Sequence, residues 1–148
     1  MMTIMQIMRN VDFGRRERAE YVRIFNFRQG FSKKTGLPKT VSRAYSKRQG
    51  YTSVHRYACA VDCLDKKSHV MVSCSCPDFC FRHEYMLMTM GAAVIRYGNG
   101  EAPQDPHPPG CCKHLVMTFK EMLNQGILDN HLKYKVFSST PVHPKDRR

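Results

Sequence analysis

Apolar residues recur at every second position at Cys59, Val61 and Cys63 within residues 54–63 and at Val70, Val72, Cys74 and Cys76 within 69–76, and the segment Leu-Asp-Lys-Lys-Ser at 64–68 separates the two runs. The period of two predicts a pair of strands joined by a turn. Pro77 then suits a first helical position, and Phe79, His83, Met86, Leu87 and Met90 recur at helical spacing until Gly91 offers a stop, which predicts a helix over 77–90. Residues 98–110 hold four prolines and three glycines, a composition that sustains neither a helix nor a central strand, so the chain returns there as a loop. Leu115, Val116, Phe119, Met122 and Leu123 form a last apolar stripe with Gly126 behind it, predicting a helix over 113–125 that packs on the hairpin. Both methionine-bearing helices are read as core.

Upstream the pattern is weaker. Residues 15–31 read as an amphipathic segment, with Ala19, Val22 and either Phe25 or Phe27 toward a partner and Arg16, Arg18, Arg23 and Arg28 in water. Residues 29–50, with Gly36-Leu37-Pro38 inside them, read as an extended arm that is flexible when alone. The expected organisation is an α+β protein: a basic arm over 1–50, partly helical or extended; a small domain of hairpin and two helices over 51–126; and a C-terminal tail over 127–148.

Charge sharpens that division. Residues 1–50 carry 12 Lys or Arg against 3 Asp or Glu, whereas the rest of the chain carries 12 against 9. The basic residues interleave with Phe13, Tyr21, Phe25, Phe27, Phe31 and Tyr45, a mixture able to neutralise phosphates and stack on bases. Nucleic acid or an acidic protein surface is the expected partner, contacted by Arg15, Arg16, Arg18, Arg23, Arg28, Lys33, Lys34, Arg43, Lys47 and Arg48. An ordinary solvated face is the competing meaning of such a run.

The chemistry lies in two short ligand pairs, Cys74-Ser75-Cys76 and Cys112-Lys113-His114, separated by 35 residues. Residues i and i+2 of a strand point to one side, so the first pair presents two thiolates to one ion. The second closes a tetrahedron from the start of a helix, where the positive end of the dipole favours thiolate at Cys112. Three sulfurs and one imidazole make a closed structural zinc site. Cys111 and Cys80 are the possible substitutes, the one three residues before His114 and the other one helical turn after Cys76; both are read foremost as small apolar fillers. His83 and His107 are further candidates of the same weaker kind. Cys59 and Cys63 share a strand face with Val61 between them and read as core packing.

The segments Val-Ser-Cys-Ser-Cys-Pro-Asp-Phe at 72–79 and Gly-Cys-Cys-Lys-His-Leu at 110–115 resemble the SWIM-type zinc finger, whose pattern is CxC followed by CxH. The likeness covers roughly residues 54–125, with a spacer long enough for an inserted helix and a proline-rich loop. It implies a strand pair and a helix around zinc, and nucleic-acid binding as the common role. The same two segments in a short chain also resemble small SWIM proteins of tailed bacteriophages, which implies a second role: a zinc-stapled structural component of a virion or other large assembly, its arms bound to protein neighbours.

Binding rather than turnover is expected, because a filled ligand set leaves no position for water or substrate, and Asp78 and Glu84 read as helix-start or surface acids. No small-molecule substrate is called for. Seven cysteines, an odd number, with ten methionines argue for a reducing, cytoplasmic compartment over a disulfide framework. The first eight residues lack the basic flank and length of a secretory leader, and no apolar run has the length of a membrane span.

Overall fold

The computed structural model describes residues 2–105 and 107–128. Its centre is an antiparallel sheet of β1 (Val22–Phe31), β2 (Pro38–Arg48), β4 (Tyr57–Cys63) and β5 (Val70–Cys74) in the order β1-β2-β4-β5, with the two-residue β3 (Tyr51–Thr52) paired to the end of β2. Two short helices, α1 (Ile4–Arg9) and α2 (Phe13–Ala19), precede the sheet. A π-helical turn (Phe79–His83), α3 (Glu84–Thr89) and α4 (Lys113–Asn124) follow it. The α+β class expected from the pattern is the class observed.

The predicted hairpin is β4–β5, and Asp65 closes its turn by accepting from Lys67 N at 2.8 Å and Ser68 Oγ at 2.9 Å. It is half of a larger sheet. Residues 22–48, expected as an outward-reaching arm, pair as a long hairpin and then dock on β4 through the register Thr40↔Val61, Ser42↔Cys59 and Ala44↔Tyr57. The core-facing positions of β2 are therefore Thr, Ser and Ala, small residues that leave no hydrophobic alternation to read.

In β1 the alternation is present but interrupted. Asn26 sits at φ 50° within a bulge that shifts the register between Phe25 and Arg28, a conformation that Asn tolerates better than most residues. The extra residue turns Phe27 onto the face already occupied by Val22 and Ile24, so all three meet the core. Phe25 is left on the opposite face, edge-on to Tyr45 at 5.7 Å.

One core joins the elements. Val61, Val70 and Val72 from the central strands meet Leu115, Phe119 and Met122 of α4, Ile4 and Ile7 of α1, and Phe79 and Leu87. Cys59 and Cys63 are buried in this cluster, as expected of core packing. Ile127 and Leu128, assigned to the tail, are buried there too; the remainder of the tail, 129–148, lies outside the described residues.

The helix predicted over 77–90 is two elements. The π-turn shifts the inward phase by one residue, which buries Cys80 and Glu84 beside Phe79, His83 and Leu87 and leaves Met90 41% exposed. Glu84, expected at the surface, is fully buried and accepts from the backbone N–H groups of Tyr97 (3.3 Å) and Gly98 (3.0 Å). It pins the start of the proline-rich loop. A Cβ on Gly98 would stand 2.4 Å from the Cys80 carbonyl oxygen, so glycine is what the close approach permits.

Candidate metal centre

β5 ends at Cys74, and Ser75 keeps the chain in line beyond it: Ser75 N donates to Ala58 O (3.0 Å) and Ser75 Oγ accepts from Ala58 N (2.9 Å). Two residues past the strand end, Cys76 comes to the same cluster as Cys74. From the other direction, Cys112 is the extended residue that caps α4, its side chain making no capping bond, and His114 stands two residues later in the first turn. The sulfur atoms of Cys74, Cys76 and Cys112 and a ring nitrogen of His114 all lie within 4.8 Å of one another, and all four residues are buried. This set could hold a metal ion.

Nδ1 of His114 is buried without a hydrogen-bond partner. Such an orphaned nitrogen costs free energy that a bound cation would return. The ring is backed by Tyr57 at 5.0 Å, and the first turn of α4 is braced by Thr118 Oγ1, which donates to His114 O at 2.8 Å.

The three sulfurs differ in their hold on a proton. Burial pushes the thiols of Cys74 and Cys112 well up, whereas hydrogen bonds from Cys112 and Cys74 hold Cys76 far below the ordinary thiol range. Phe79 N adds a donor to Cys76 Sγ at 3.3 Å. At Cys112, burial thus opposes the helix dipole that favours its thiolate.

Of the possible substitutes, neither enters the cluster. Cys80 Sγ donates to the Cys74 carbonyl at 3.5 Å, and burial moves its thiol up to about 11. Cys111 is fully buried and its thiol is likewise pushed up by burial. His83 and His107 stack edge-on at 5.2 Å away from the ligands, His83 Nε2 lying 3.4 Å from Asp78. Cys59 is closer than its sequence position indicated, its sulfur donating to Cys74 Sγ at 3.8 Å.

Arg15 is a brace for this centre. Its Nε and Nη2 donate to the two oxygens of Asp78 at 2.8 and 2.6 Å and its Nη1 to Asp12 at 2.6 Å, tying α2 to the segment that follows Cys76. Burial alone would raise the Asp78 carboxyl, but the bonds from Arg15 and His83 override it and hold it well below the usual carboxylate range. Arg16 is also committed, donating to the carbonyls of Val11 and Met8, and Arg23 donates to those of Glu20 and Val22.

The remaining basic candidates do not form one surface. Lys33 and Lys34 occupy the β1–β2 turn, at the end of the hairpin away from Lys47 and Arg48, roughly 30 Å off at the rise of a strand. Arg28 is exposed on β1, and Arg43 lies half-buried on the sheet face opposite Thr40, Ser42 and Ala44. Arg18 and Arg48 converge with Lys113 on a cleft of about 780 Å³ whose lining also includes Tyr51, Tyr57, Cys76, Cys112 and His114. Lys113 escaped the sequence reading although it sits inside the second ligand pair; burial and then its neighbours Arg18 and Arg48 lower its ammonium.

Comparison with protein families, curated proteins and solved structures finds no match for the chain. Among the described residues no helix is long and apolar enough to cross a membrane.

Proposed function

We propose that the chain is a zinc-stapled, non-catalytic interaction module of SWIM-like type that holds nucleic acid through basic residues of its N-terminal strands and helices. The observation that carries it is the convergence of Cys74, Cys76, Cys112 and His114 in one buried cluster. Three thiolates with one imidazole suit zinc among the common biological metals. A tetrahedral zinc places its donors about 3.5–3.8 Å apart, so closure from the observed spread of 4.8 Å takes about 1 Å of side-chain movement. A filled donor set gives the ion a structural role, fastening the end of β5 to the start of α4.

The excess of 12 basic over 3 acidic residues in positions 1–50 lies on a folded hairpin and helix rather than on a free arm, so the cations are presented at fixed positions with less entropy to lose on binding. The test is purification under reducing conditions followed by the 260/280 absorbance ratio and a salt titration of nucleic-acid affinity. Co-purifying nucleic acid that salt removes, with affinity falling steeply as salt rises, is expected. A protein free of nucleic acid and indifferent to it at low salt would overturn the nucleic-acid half and turn the module toward a protein assembly.

A further inference from the structure

The cleft beside the ligand cluster is built like a site. Among the described residues Arg18, Arg48 and Lys113 have no carboxylate partner, and the one acid in the lining, Asp78, is committed to Arg15 and His83. Three cations without a carboxylate partner on one concave surface attract phosphate. The volume, about 780 Å³, falls in the range of small-ligand pockets.

Aromatic rings supply the second half of the chemistry. Tyr51, at the tight turn from β2 to β3, is 62% exposed and has no ring partner among the described residues. Its neighbours on the wall are His55 and Tyr57, stacked on each other at 6.1 Å with 24° between their planes. A duplex turns its bases inward and offers a concave cleft only phosphates, whereas an unpaired strand offers bases to stack on such rings.

We propose that this cleft binds a single-stranded nucleic-acid segment, its phosphates on Arg18, Arg48 and Lys113 and a base on the ring of Tyr51. The proposal rests on the nucleic-acid reading above and deepens it: of the ten basic candidates, Arg18 and Arg48 do the holding, and Lys113 joins them from the other half of the chain. It also couples the partner to the metal. Lys113 lies between the ligands Cys112 and His114, and Cys76, Cys112 and His114 all line the cleft, so the ion that fixes the ligands fixes the cation as well.

The test is fluorescence anisotropy on the full chain with short labelled oligothymidylate, a duplex of equal length and polyglutamate, comparing wild type with Arg48→Ala, Tyr51→Ala and the distant Lys33→Ala/Lys34→Ala pair. Arg48, Tyr51, Lys33 and Lys34 are all exposed, so the fold is retained in each variant. The expected result is single strand preferred over duplex, about tenfold weaker binding for Arg48→Ala and for Tyr51→Ala, a salt slope lowered by about one in Arg48→Ala alone, and no change for the lysine pair. Oligothymidylate binding weakened by the lysine pair but not by Tyr51→Ala or Arg48→Ala would overturn the cleft and leave the nucleic-acid reading standing. Preference for duplex, or polyglutamate binding insensitive to Tyr51→Ala, would also overturn it. No binding to either nucleic acid would end both readings.

Discussion

Cys111 and Cys112 are neighbours in the chain with opposite tasks: one sulfur enters the ligand cluster and the other stays outside it in the core. The two ligand pairs were legible because spacing alone sets which side chains share a side of a strand end or a helix start. The proton balance was not legible, because it depends on burial that only the folded chain creates. Since burial raises the thiols of Cys74 and Cys112 and zinc takes thiolates, zinc binding is expected to release protons near neutral pH. Affinity should then rise with pH and fall on acidification; calorimetry in buffers of different ionisation enthalpy counts the protons, and a count of zero would contradict the assignment. Arg15 was expected as a partner contact, and charge alone does not reveal that it also bonds Asp78 and Asp12. Arg15→Ala should cost about 1–3 kcal/mol, less than a fully buried pair because Asp78 is partly in water. Asp78 has a depressed carboxyl, so the pair stabilises the fold above about pH 4 and is lost as pH falls below that. Thermal denaturation should show the gap between wild type and Arg15→Ala at pH 7 shrinking in acid.

Strands β4 and β5 and helix α4 could be read from their period because each buries one apolar face. β2 could not, since its inward residues are Thr40, Ser42 and Ala44, and β1 could not, since the bulge at Asn26 resets its alternation halfway. That bulge is a specific demand on one residue. Asn26→Gly should be nearly neutral, whereas Asn26→Val, β-branched at positive φ, should destabilise by about 1–2 kcal/mol; a chemical-denaturation midpoint unchanged by Asn26→Val would mean that β1 has no such bulge. The π-turn was hidden for a related reason, because an apolar pattern at residues 79–90 fits a straight helix until the burial of Glu84 shows the phase shift.

The sequence suggested a basic arm beside a metal domain, and the chain instead forms one sheet that runs from residue 22 to residue 74 with a shared core. Composition divided what packing joins, because charge reports the solvent face of the N-terminal strands and says nothing of the face that pairs with β4. Removing the ion should therefore loosen the whole sheet. Hydrogen exchange after chelation under reducing conditions should show lost protection in β1 and β2 as well as in β4 and β5, whereas loss confined to residues 51–126 would restore the two-part organisation. The deciding measurement is metal per chain, by elemental analysis of the reduced protein as wild type, Cys111→Ala and Cys112→Ser. One zinc in wild type and in Cys111→Ala with none in Cys112→Ser is the predicted result. Wild type without metal, or Cys112→Ser with a full complement, would contradict the centre on Cys74, Cys76, Cys112 and His114.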